Sequence, residues 1–463
     1  MQNSVQEKQK SIIKGTALYA IGNFGSKILS FIIVPLYTFY IAPEQLGLYD
    51  LLLTTVSLLM PLISMQLTDA TYKWCVDDRS EEKRYISLTY LALGISSLLT
   101  LAMILGVGSS IIGFSNSLYL ALMLLSQMWF WSLQRMLRIH FHQRKFVVSG
   151  LFQSLSFFVL TLFFVCVFRL GVAGLCYSFI ISHAIGCVYI LFSSNELLLF
   201  EKCFDLNTIK KMLYFSLPLI PSAMCWWMIN SSDKYIILWF LGTAQNGIYA
   251  VSSKFPAIIQ TINSVFYTAW QDVAIREKQG KDRDELFSAT FEQYYRLSFG
   301  LALVIIPFMH LALPLFVSNA YASSSKYMAF LFLGAVFQGF ASFLGIIYLN
   351  ENKTMGATVT SFIAAIINII VDFALMKLVG LYAAGISTFV GFLVICAIRF
   401  SHTRKYVNLK INKPLFVSLF ILSLISTIGN CFDYLPAEIA SLFVGLIGCV
   451  IVNKSILIKY GKI

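Results

Sequence analysis

"GNFGSKILSFIIVPLY", residues Gly22 to Tyr37, carries one charge, Lys27, in an otherwise largely apolar run. Such a run reads as a membrane-spanning helix. An ammonium group at a bilayer centre costs roughly 2.5–3.5 kcal/mol on insertion scales, so Lys27 needs a partner or a function. The whole chain has the same character: 58% of its 463 residues are hydrophobic and 12% charged, against about 25% charged in an average soluble domain. Lipid can accept that much Leu, Ile, Val and Phe; a soluble core of this length cannot.

Working outward in windows of about 20 residues, fourteen candidate spans centre near residues 27, 60, 95, 122, 157, 182, 227, 260, 302, 335, 366, 391, 421 and 447. Pro35, Pro61, Pro218, Pro221, Pro256 and Pro307 fall inside them, which membrane helices tolerate where neighbours satisfy the freed carbonyls. On this division 28 of the 34 Lys and Arg lie on one side, from Lys8 to Lys14 through Lys73–Arg84 and Arg135–Lys145 to Arg399–Lys413 and the C-terminus. The opposite loops hold only Arg169, Lys326 and Lys377. The positive-inside rule therefore predicts both termini in the cytoplasm of a multi-pass membrane protein. The polar first dozen residues lead into span 1 without a small-residue cleavage site, so that helix is expected to be a retained anchor.

The net charge of +12 is thus a topology signal. It is spread over short segments, not gathered on one nucleic-acid-binding face. The nine cysteines are scattered without a C-x-x-C pair and read as packing residues, so neither a disulfide framework nor a metal site is expected. Walker A, H-E-x-x-H and G-x-S-x-G patterns do not occur, and no enzyme activity or cofactor is predicted.

An internal repeat organises the chain. "APEQLGLYDLLLT" (42–54) aligns with "GTAQNGIYAVSSK" (242–254) at an offset of 200, with Gln45/Gln245, Gly47/Gly247, Tyr49/Tyr249, Ser64/Ser264 and Thr68/Thr268 identical over the longer stretch. Each copy joins one long span to the next, which predicts a six-helix set at 1–206, a second at 207–405 and two further helices at 406–463. The segments "NFGSKILSFIIVPLYTFYIAPEQLGLYDL", "SSDKYIILWFLGTAQNGIYAVSSKFP" and "NENKTMGA…NIIVDFALMKLVGLYAAGIST" resemble Wzx-type polysaccharide flippases of the multidrug/oligosaccharidyl-lipid/polysaccharide exporter (MOP) superfamily. The resemblance implies an all-α polytopic fold of about fourteen transmembrane helices, two six-helix bundles in a V-shaped, MATE-like arrangement plus two C-terminal helices. It also implies that an undecaprenyl-diphosphate-linked sugar repeat unit passes from the cytoplasmic to the outer leaflet of a bacterial inner membrane. A polysaccharide polymerase and chain-length protein are then the expected partners, and O-antigen one possible product.

Counting from Lys14, Lys27 lies about 20 Å along its helix, near mid-membrane. Asn23, Lys27 and Ser30 share one face, a polar stripe that wants a partner helix or a watery cavity. Asp50, Thr54, Ser57, Pro61, Ser64 and Thr68 form a second stripe; Lys254, Thr261, Ser264 and Thr268 form a third. The resemblance places these helices around the central cavity. Two readings of Lys27 and Lys254, with Lys234 beside them, stand: a receptor for the lipid diphosphate, since lysine is a common phosphate binder, or ion pairing with Asp50 or Asp233.

Trp226 and Trp227 suit either sugar stacking or ordinary packing. Asp50, Asp233, Asp372 and His183 are candidates for coupling to H+ or Na+ or for charge pairing, with packing the plainer role for His183 and for His310. Asp69 is expected to meet Lys73 one turn on. Two alternatives share the fold, a cation-coupled multidrug exporter and a lipid-linked peptidoglycan precursor flippase. The deep Lys27 favours an anionic substrate.

Overall fold

A computed structural model describes residues 31–140, 142–194, 201, 205–276, 283–351, 353–432 and 435–460, with Gly25 and Leu29. Every regular element among them is helical, as the composition predicts. Nine helices of the described residues are long and apolar enough to cross a bilayer, and Lys413–Gly429 and Glu438–Asn453 are shorter apolar ones. Each predicted centre from residue 60 onward falls within a described helix.

The chain divides into two compact units. The first holds the described residues of 1–41 and 48–227. Its helices are α1 (residues 31–38), α2 (Pro43–Ile63, entered through the second unit), α3 (Leu67–Asp77), α4 (Glu82–Met103), α5 (Phe114–Ile139), α6 (Gln143–Thr161), α7 (Gly171–Ser193), α8 (Leu206–Ser216) and most of α9 (Leu219–Ser231). Here α5, α6 and α7 pack on one another, and α3 packs on α4, α5 and α8.

Local chemistry sets the breaks. Met65 and Gln66 end α2 in the left-handed region at φ 49° and 50°, a costly conformation for residues with a Cβ. Pro218 falls between α8 and α9, where its missing N–H interrupts the ladder. Asp205 caps α8, accepting from the amides of Asn207 at 2.9 Å and Thr208 at 3.2 Å and from Arg84 at 2.7 Å. The hydroxyl and amide of Thr208, then Arg84, push its carboxyl down to about 2.

The second unit holds Ala42–Gly47 and Met228–Ile463. Its described helices continue as α10 (Asp233–Leu241), α11 (Thr243–Lys254), α12 (Ala257–Arg276), α13 (Arg283–Phe316), α14 (Met328–Asn350), α15 (Thr354–Val379), α16 (Tyr382–Thr403), α17 (Lys413–Gly429) and α18 (Leu435–Tyr460). The span containing α14 is 78% buried, against 11% for Gln143–Val167 of the first unit. Helix α14 is therefore enclosed by its unit, whereas α6 leaves most of its surface exposed. Phe337, Phe340 and Phe343 of α14 meet Phe291, Tyr294 and Phe299 of α13 edge-on or stacked, an aromatic core in which no polar atom needs water.

Arg399 is one charge that the sequence places at the cytoplasmic flank and the structure turns inward. It is 3% exposed. Its guanidinium donates to Ala341 O at 2.6 Å, Thr360 Oγ1 at 3.0 Å, Ser361 Oγ at 3.0 Å and Ala357 O at 3.2 Å. One side chain thus ties α14, α15 and α16 together through neutral acceptors. Arg399→Leu strands those acceptors and is expected to lose about 3 kcal/mol of stability. Arg399→Lys recovers only part, because an ammonium group lacks the planar fork. Melting of the purified variants checks this, and a wild-type melting point for Arg399→Leu would count against it.

Candidate functional site

Lys27, Asn23 and Ser30 lie outside the described residues. Their expected counterpart, the polar stripe of α2, is described. Thr54 Oγ1 donates back to Asp50 O at 2.7 Å and Ser57 Oγ to Thr54 O at 2.8 Å, so the hydroxyls are bonded within their own helix. Asp50 is buried. Trp227 adds its indole to this stripe, with Nε1 donating to Thr54 O at 3.2 Å and Ser57 Oγ at 3.1 Å. Its neighbour Trp226 is half-buried.

In the second unit the two copies of the repeat touch. A Cβ on Gly47 would overlap the carbonyl oxygen of Thr243 and come within 2.9 Å of Gly247 N. A Cβ on Gly247 would overlap the carbonyl of Pro43 and come within 3.0 Å of Gly47 N. Position by position, each copy presses on the other at the equivalent residue, and only glycine permits the approach. Asn246 Nδ2 donates to Gly47 O at 3.0 Å across this crossing. Lys254 ends α11, half-buried, at a helix terminus whose dipole favours a cation. Lys234 is also half-buried, on α10.

Near the crossing the same unit buries two aspartates. Asp233 is 3% exposed and accepts from the Tyr249 hydroxyl and from the Lys234 amide at 2.9 Å. Helix α10 packs on α15, the helix that carries Asp372. Asp372 has no exposed surface, and neither of its carboxylate oxygens has a hydrogen-bond partner. The nearby Ser387 hydroxyl donates instead to Ala384 O at 3.0 Å.

One turn earlier on α15, Asn368 is 1% exposed with both amide atoms likewise unpartnered. Buried oxygens left over in this way need an ion, a proton or water. The sequence reading found both aspartates but missed Asn368 and Tyr249. The spacing of Asn368 and Asp372, four residues apart in the apolar run "NIIVD", was the available signal.

The histidines separate. His183 is buried, its Nδ1 2.8 Å from Phe179 O and its ring edge-on to Phe130, the environment of a packed side chain. His310 joins Glu438 through Nε2 at 3.1 Å, both groups buried, and thereby ties α13 to α18. Asp69 does not meet Lys73 as expected. It pairs with Arg135 of α5, while the Lys73 ammonium lies 4.2 Å from the Phe215 ring centroid. The i,i+4 rule sees only one helix, and here the neighbouring helix supplies a planar guanidinium that matches a carboxylate better.

Known structures have the same fold. The inward closed conformation of the lipid II flippase MurJ superposes with a TM-score of 0.69 at 15% identity, over 95% of this chain and 100% of that one. An inward-facing multidrug resistance MATE transporter of the MOP superfamily gives 0.65 at 12%, over 86% and 98%. A MOP superfamily transporter from Pyrococcus furiosus gives 0.58 at 14%, over 89% and 96%. No curated protein sequence matches.

At these identities the likeness shows a shared fold. The family model of the polysaccharide biosynthesis proteins matches residues 12–271, more than half of the chain, and the chain belongs to that family.

Proposed function

We propose that this protein flips a polyprenyl-diphosphate-linked oligosaccharide from the cytoplasmic to the outer leaflet of the bacterial cytoplasmic membrane, by alternating access, for surface polysaccharide synthesis. Membership of the polysaccharide biosynthesis family carries the reading, and the shared fold with a protein described as a lipid II flippase supports it. Both termini are cytoplasmic by charge placement. Residues 1–206 and 207–405 form the two six-helix sets, with 406–463 appended.

Lys27 and Lys254 receive the diphosphate, assisted by Lys234. A lysine at span depth is stabilised when an anion arrives. Asn23, Ser30, Trp226 and Trp227 face the sugars. Asp233 and Asp372 hold the coupling cation. Their oxygens, with those of Asn368 and Tyr249, suit a hard monovalent ion such as Na+.

Delivery of lipid-linked sugar to the outer leaflet by Lys27 and Lys254 variants tests the receptor, with membrane abundance matched. Lys254→Arg is expected to keep transport, and Lys254→Ala and Lys254→Glu to lose it at least tenfold, about the worth of one charged hydrogen bond. Normal flipping by the alanine variants at both positions would sink the assignment.

A further inference from the structure

A separate cavity of about 470 Å³ lies wholly within the first unit, inside the size range of small-molecule sites. It sits where α2 ends and α5 approaches the basic segment Arg135–Lys145. Ser57 and Ser64 supply hydroxyls from the polar stripe of α2; Asp69, Trp131, Arg135 and Arg138 complete the polar and aromatic wall.

The charges are arranged unevenly. Arg135 is held by Asp69, and both side chains are about one-third exposed, at 35% and 29%. Arg138 lies near the Tyr72 and Phe146 rings, at 6.0 and 5.9 Å, with no carboxylate in ion-pair distance among the described residues. The cavity therefore carries one more guanidinium than carboxylate. Two guanidinium forks in one wall suit phosphate oxygens. Hydroxyls and an indole beside them suit a sugar ring.

We propose that this cavity is a docking site for the diphosphate and first sugar of the lipid-linked substrate at the cytoplasmic side, with Asp69 as the internal anion that the diphosphate displaces from Arg135. The identity of the lipid rests on the transport reading above; the affinity for phosphate does not. In the free protein Asp69 holds the Arg135 fork in place. An arriving diphosphate takes Arg135 and Arg138 together and leaves Asp69 to water, which its partial exposure allows. Asp69 thus competes with the ligand, and removing its charge strengthens binding.

The test is equilibrium binding of radiolabelled inorganic pyrophosphate to the full-length protein in phosphatidylcholine nanodiscs, measured without transport. The Arg135→Gln/Arg138→Gln double variant is expected to bind at least tenfold more weakly, and Asp69→Asn severalfold more tightly. The opposite signs matter, because damage to the fold would weaken both. Equal affinity in wild type and the arginine double variant, or no gain in Asp69→Asn, overturns the proposal whatever the flipping assay gives. Competition by a polyprenyl diphosphate embedded in the disc, and not by phosphatidylglycerol at the same mole fraction, assigns the source; competition by phosphatidylglycerol alone overturns it. Absence of flipping by the wild-type protein itself, with these affinities as expected, removes the transport reading and leaves the phosphate site standing.

Discussion

Gly247→Ala is expected to leave little folded protein in the membrane. The added methyl group would overlap the carbonyl oxygen of Pro43 and crowd Gly47 N. These are backbone atoms of packed helices, so no side chain can rotate aside. Overpacking against flexible neighbours costs about 1–3 kcal/mol, and a rigid backbone contact belongs at or beyond the top of that range. Gly47→Ala should behave alike, because it meets the carbonyl of Thr243 in the same way. Gly94→Ala is the control: nothing lies within 4 Å of a Cβ there, and alanine is the better helix former by up to about 1 kcal/mol. Membrane abundance and detergent melting curves of the three variants decide the matter. Wild-type melting of Gly247→Ala would mean that the helices do not cross as closely as described.

Sodium is expected to raise the melting temperature of the wild-type protein and to leave Asp372→Asn unmoved. Asp372 is fully buried and accepts no hydrogen bond. A cation bound to the folded state alone stabilises it by about 2.7 kcal/mol at a hundredfold excess over its dissociation constant. In choline medium the order should reverse, with Asp372→Asn the more stable, because the substitution removes an unpaired buried charge. Transport should fall at least tenfold in the variant. Asn368→Ala should weaken the sodium response without abolishing it, since Asn368 contributes one neutral donor set among charged ones. Equal sodium responses in wild type and Asp372→Asn would remove the coupling role.

Much of this was legible in the sequence because lipid imposes so strict a rule. Every backbone group must be satisfied internally, so apolar runs of the right length can only be helices, and charge bias can order them. The helices around residues 95, 157, 182, 302, 335, 366 and 391 are all found as expected. What could not be read were contacts between helices distant in sequence. Asp69 finds Arg135, 66 residues away, in place of the Lys73 beside it. Arg399 looks like one more flanking cation, and only the folded chain brings the carbonyls of Ala341 and Ala357 to its fork. Asn368 was overlooked for the same reason: an amide in an apolar helix becomes informative once its neighbours are known to leave it unsatisfied.

The glycine crossing also bears on how such a chain can change over generations. Two segments 200 residues apart in sequence press on each other at equivalent positions, Gly47 on Thr243 and Gly247 on Pro43. Neither can accept a larger residue while the other stays in place, and a one-residue insertion ahead of either glycine would misplace both contacts. The two copies of the repeat are thus locked to a common register by the contact they make with each other.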